Sequence, residues 1–278
     1  MLNGQNNITG IFSSTKNIRF LKGNSLSVNV LLLLGITAFI LIGADLESDL
    51  AVQKDEIAQV VSILSDSEDT VGLSPELTAA TGMDALSHGM EAVSSAQREP
   101  IADALGLHAI RLVREHLPAV VKNGGDIAAR GQMLIAATLG GAAFSNAQVG
   151  LMHAISHVVG ARHGVHHGLA NAIAMPYVIR FNNDVVADRH RLIAEAFGLD
   201  VRGLSDEAAG LALALAVIDF NKQLGLPRSF REAGVPEADL GACADAAMYD
   251  GSIVYNSKPV SEPTEVLSVL KAAWAGAA

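Results

Sequence analysis

From Ser74 onward, apolar residues recur at three- and four-residue spacing in blocks separated by Gly and Pro, the pattern of consecutive helices. Ser74-Pro75-Glu76 combines an N-cap residue, a proline at the first helical position and an acid in the first turn. Pro100 opens a second block, with Ile101, Leu105, Ala109, Leu112 and Val113 in helical register. Asn123-Gly124-Gly125-Asp126 breaks and recaps the chain ahead of an Ala/Gly-rich stretch whose small residues let neighbouring helices approach closely. Further helices are expected around 184 to 197, 205 to 224, 236 to 249 and 262 to 275. No internal repeat is visible.

Before Ser74 the texture differs. Residues 1 to 27 are polar, rich in Asn, Ser and Gly, carry Lys16, Arg19 and Lys22 without an apolar period, and read as disordered. An uncharged apolar run from Val30 to Ala44 follows, with Asp45, Glu47 and Asp49 behind it, a charge asymmetry typical of a signal sequence or anchor. It is shorter than the ~20 residues that comfortably span a bilayer, so a buried element of a soluble protein stays open beside a membrane role for residues 28 to 44. A third reading makes it sequence foreign to the fold. Residues 46 to 73 form an acidic connection in which one helix is expected, through Ile57 to Leu64. The expected organisation is therefore an atypical segment, 1–69, followed by a helical domain, 70–278.

Composition supports an all-α domain: Ala, Leu, Gly and Val dominate while aromatics make up only 4% of the chain. The 19 basic residues face 29 acidic ones in no Lys/Arg block, which argues against nucleic acid as a partner. A single cysteine, Cys243, cannot close an intrachain disulfide and reads as a small apolar residue on a helix.

Candidate chemistry concentrates in three segments that together hold six of the nine histidines. Asp84 and His88, four apart on one helical face, are matched by His153 and His157 at the same spacing. His163, His166 and His167 occupy a Gly-punctuated turn ahead of Leu169 to Pro176. Either pair alone fits a solvated surface pair. Together, on Ala/Leu-rich faces, they are costly to bury, on the order of 1 to 3 kcal/mol for each unsatisfied group, unless something such as a divalent cation satisfies them. One carboxylate with several imidazoles suits Fe(II) or Zn(II) better than calcium or magnesium.

The motifs Gly82-Met83-Asp84-Ala85-Leu86-Ser87-His88-Gly89-Met90-Glu91-Ala92, Ala143-Phe144-Ser145-Asn146-Ala147, Gly150-Leu151-Met152-His153 and His167-Gly168-Leu169-Ala170-Asn171-Ala172 resemble those of the iron-containing (group III) alcohol dehydrogenases. The likeness continues through Arg180-Phe181-Asn182, Leu224-Gly225-Leu226-Pro227, Glu232-Ala233-Gly234-Val235 and Ala272-Ala273-Trp274. It implies the helical, dehydroquinate synthase-like C-terminal domain of that family. It further implies metal ligands Asp84, His88, His153 and His167, with His157 near the nicotinamide assisting proton transfer. His166 stands where the family usually has proline, and His163 and His166 are expected beside the metal shell or at the surface.

The resemblance also implies Fe(II) or Zn(II) and NAD(P), a small alcohol or aldehyde substrate, a homodimer and a cytoplasmic setting, with membrane anchoring through residues 28–44 as the alternative. The family's Gly-Gly-Gly-Ser turn for the pyrophosphate does not occur upstream of residue 70, so the expectation is a truncated dehydrogenase whose activity alone is open. A non-catalytic metal-binding domain, or half of a split enzyme, is the alternative. A metal-dependent hydrolase is a third class, needing no nucleotide domain.

Overall fold

The computed structural model describes residues 66–276, and the expectations for residues 1–65 lie outside them. The described residues contain helices and no strand. Eight α-helices run in order: α1 Pro75–Ser94, α2 Pro100–Lys122, α3 Ile127–Ala147, α4 Leu151–His163, α5 His167–Ala196, α6 Asp206–Gln223, α7 Leu240–Ala247 and α8 Pro263–Ala275. Short 3-10 turns lie at Asp66–Thr70, Glu237–Asp239 and Gly251–Tyr255.

Local chemistry explains the starts. The Ser74 hydroxyl accepts the Leu77 N–H at 3.2 Å, Glu99 accepts from the N–H groups of Ile101 and Ala102 behind Pro100, and Asp126 accepts from Ala129 at 3.0 Å. Each carboxylate or hydroxyl satisfies a donor that the first helical turn leaves free. Gly164, at φ 68°, ends α4 in the left-handed conformation and lets the chain turn into α5.

Helix α1 lies at the centre, packed against α2, α3 and α5. Its neighbours approach through glycine, which the small-residue reading expects for α3 alone. A Cβ on Gly106 of α2 would sit 2.9 Å from the Gly89 carbonyl oxygen, and one on Gly140 of α3 2.9 Å from that of Ala85. One on Gly168 of α5 would overlap the Ala80 carbonyl. Met83, Leu86 and Met90 of α1 are buried in the resulting core with Leu117, Leu151, Ile155 and Met175. Burial on this scale stabilises by roughly 1.5–3 kcal/mol per large side chain. Helix α3 is the one described helix long and apolar enough to cross a membrane, yet it packs along α1 and α2 as part of this body.

The helix expected around 184 to 197 is present as the part of α5 beyond Val186, whose non-helical backbone (φ −131°, ψ 36°) kinks it away from the part that runs from His167 through Pro176. A proline at 176 cannot donate to the carbonyl of Ala172. Asn221 of α6 does so instead, its Nδ2 donating to that oxygen at 2.7 Å, and the helix continues.

Candidate metal centre

Helix α1 sets the geometry, carrying Asp84 and His88 one turn apart on a single face. The first turns of α4 and α5 bring His153 and His167 onto that face. One ligand atom each from Asp84, His88 and His153 lies within 4.8 Å of the others. His167 joins through Asp84, its Nε2 being 3.4 Å from Oδ1. The ring centroids of His88 and His153 are 5.0 Å apart, and those of His153 and His167 5.2 Å. Phe144 of α3 covers His88 at 4.4 Å between centroids.

At the heart of this group sits the side-chain amide of Asn171, one turn beyond His167. Its Nδ2 donates to Asp84 Oδ1 at 2.8 Å and lies 3.3 Å from His153 Nε2 and 3.2 Å from His167 Nε2, while its Oδ1 accepts from the Ser156 hydroxyl at 2.5 Å. A carboxylate oxygen and two ring nitrogens thus converge on one amide nitrogen that has only two hydrogens. Such a cluster of ligand-capable atoms suits a cation. Burial, opposed by Asp84, pushes the His88 imidazole down to about 4, and burial lowers His167 as well, which favours the neutral rings that a metal ion would need.

His157 stands at the open edge, its ring 5.3 Å from that of His167 and 5.9 Å from that of His153. Its Nδ1 is 2.8 Å from Asp250 Oδ2, and Asp250 Oδ1 accepts the Ser252 N–H at 2.8 Å. Burial acts to raise the Asp250 carboxyl, but hydrogen bonds from Ser252 and His157 outweigh it and leave it below its ordinary value. His166 is exposed at the α5 N-cap, and His163 lies apart, 3.7 Å from both Cys243 Sγ and Asp239 Oδ2.

Sequence reasoning passed over Glu91, Asn171 and Asp250. Glu91 is buried, and its carboxylate faces His153 Nδ1 at 2.6 Å. Spacing held a signal for two of them: Glu91 follows His88 by three positions and Asn171 follows His167 by four, each on the ligand-bearing face of its helix. Asp250 is 93 residues from His157, and no local pattern marks it.

Comparison with known proteins points the same way. A model of the Fe-containing alcohol dehydrogenase family, C-terminal, matches residues 78–274. The chain is 38% identical over 217 residues to NAD-dependent methanol dehydrogenase of Bacillus methanolicus, covering 78% of this chain and 56% of that protein. It is likewise 38% identical over 205 residues to 1,3-propanediol dehydrogenase of Klebsiella pneumoniae, covering 73% of this chain and 52% of that one. The crystal structure of a 1,3-propanediol oxidoreductase superposes with a TM-score of 0.71 at 35% identity, over 73% of this chain and 53% of that one. The chain spans about half the length of the curated relatives it matches. By motif, fold and extent of match, it belongs to the Fe-containing alcohol dehydrogenase family.

Proposed function

We propose that this helical body holds one Fe(II) or Zn(II) through Asp84, His88, His153 and His167 and serves NAD(P)-dependent interconversion of a small alcohol and its aldehyde. The observation that carries this reading is the convergence of Asp84, His153 and His167 acceptor atoms on a single point, with His88 beside them. When bound, a divalent ion supplies Lewis acidity, easing loss of the alcohol proton and polarising the carbonyl in the reverse direction. His157 is the residue that moves that proton. Its ring borders the cluster, Asp250 fixes its Nδ1, and its side chain is 44% exposed, a route to solvent. Phe144 covers the His88 ring on one side of the cluster.

The hydride acceptor enters through the relatives, one of which is named NAD-dependent. A second reading is a metal-binding body whose redox partner is a separate nucleotide-binding chain. Self-association belongs to the first proposal, with Leu211 and Leu215 standing nearly half exposed on α6, and is read by sedimentation.

The full chain titrated anaerobically with Fe(II) or Zn(II), then with NAD(H) and NADP(H) and assayed with short primary alcohols and aldehydes, separates the readings. One equivalent of metal, cofactor binding and turnover are expected, with His157→Ala reducing turnover while retaining metal. Stoichiometric metal without cofactor binding would leave the second reading; unchanged metal content after replacing any of the four ligands would remove both.

A further inference from the structure

Glu91 is a carboxylate only 5% exposed, and no lysine or arginine pairs with it among the described residues. Its partners lie at the start of another helix. Oε2 accepts the Gly150 N–H at 2.9 Å, Oε1 accepts the Met152 N–H at 2.8 Å, and Oε2 stands 2.6 Å from His153 Nδ1. The N-cap of α4, Gly150, offers no side chain of its own to its first turn. Glu91 and Asn256, whose Oδ1 accepts the Leu151 N–H at 3.3 Å, do that work from elsewhere in the fold.

The same contacts settle where the imidazole proton sits. Glu91 Oε2, a carboxylate acceptor 2.6 Å from His153 Nδ1, calls for the ring proton on Nδ1, which leaves Nε2 deprotonated on the side of the Asn171 amide, 3.3 Å away. The Nε2 lone pair then points to the side where Asp84 and His167 gather.

We propose that Glu91 is a positioning residue for the metal centre: it fixes His153 in the Nδ1–H form with Nε2 free to ligate, and docks the start of α4 on the helix that carries Asp84 and His88. This rests on the metal site proposed above. Glu91 touches no reacting atom, yet one side chain ties together two elements that supply ligands. A second-layer carboxylate of this kind typically accounts for 10–100-fold in metal affinity by holding ring orientation and tautomer.

The test uses the full chain, with Co(II) as the probe. Affinity is measured by chelator competition and by the visible d–d bands in wild type, Glu91→Gln, Glu91→Ala and His153→Ala. In parallel, ¹⁵N-labelled histidine correlation spectra of the metal-free protein report the His153 tautomer. The Nδ1–H form is expected in wild type and a mixture of tautomers in both Glu91 variants. Co(II) affinity should fall about 10–100-fold in those variants with altered d–d bands, and further in His153→Ala. If His153→Ala binds Co(II) like wild type, the underlying site is wrong. If His153→Ala loses Co(II) while the Glu91 variants keep wild-type affinity and bands, Glu91 is a structural cap and the proposal fails. An Nε2–H tautomer in metal-free wild type overturns it without any variant having to fold.

Discussion

Two histidines in this molecule, half-buried His88 in the α1 cluster and buried His190 in the second half of α5, have both been driven to about 4 by desolvation, yet their surroundings differ. His190 Nδ1 meets Asn183 Oδ1 at 2.9 Å, and Asn183 Nδ2 donates to the Glu207 carbonyl at 2.9 Å. That chain matches each donor to an acceptor and ends on backbone. Beside His88, by contrast, Asp84 Oδ1, His153 Nε2 and His167 Nε2 crowd onto one amide nitrogen that has only two hydrogens. A depressed pKa marks burial in both places. Only that crowding of ligand-capable atoms marks a site.

Each place is also roofed by a glycine, which supplies matched ways to break the contrast. The largest effect is expected from Gly168→Ala. Its new methyl would overlap the Ala80 carbonyl and reach 3.0 Å from Asp84 Cβ, forcing α5 off α1. A stability loss of about 3 kcal/mol or more is expected from such overpacking, together with a fall in metal affinity. Thermal melts and chelator competition read the two, and wild-type values for both would mean that this crossing does not shape the cluster.

Gly210→Ala is the counterpart, its methyl overlapping Asn183 Oδ1 and coming 3.1 Å from His190 Cβ. A loss of about 1–3 kcal/mol is expected with metal affinity unchanged. A parallel loss of metal binding would show the two histidine environments to be one.

The smallest effect is the pH dependence of metal-free stability contributed by His190. Its pKa is depressed from 6.5 to about 4, with burial as the cause and Asp188 opposing, so the unfolded chain takes the proton first on acidification. Its contribution is fully present above pH 6.5 and lost as pH falls toward 4. Between pH 7 and 5.5 the loss is about 1 kcal/mol, seen in urea denaturation of wild type and absent in His190→Asn. An equal acid loss in that variant would assign the slope to other groups.

Much of the architecture was legible in advance because it is written locally. Ser74 and Asp126 sit where helix starts require a cap, Pro75 and Pro100 where a missing N–H does no harm, and the small residues of α3 where a close crossing needs them. The passage of α5 through Pro176 was not legible, because the donor that replaces the missing N–H, Asn221, is 49 residues from the carbonyl it serves. The candidate site divides in the same way. Asp84 with His88, and His153 with His157, announce themselves by spacing, whereas choosing between His166 and His167 needs the direction of the α5 start, which turns His167 toward Asp84 and leaves His166 exposed. Glu91 stayed silent because an acid on a helix face acquires its role from a backbone start and a histidine 62 residues away.

The bond from Asn221 to the Ala172 carbonyl reaches further than helix continuity. Ala172 adjoins Asn171, whose amide stands among the candidate ligands, so peeling α6 away would strip that carbonyl of its donor one residue from the cluster. Helix α6 and the candidate ligands are therefore expected to unfold as one cooperative unit. Slowed amide hydrogen exchange on metal loading should extend into the α6 segment around Asn221, a helix that supplies no candidate ligand.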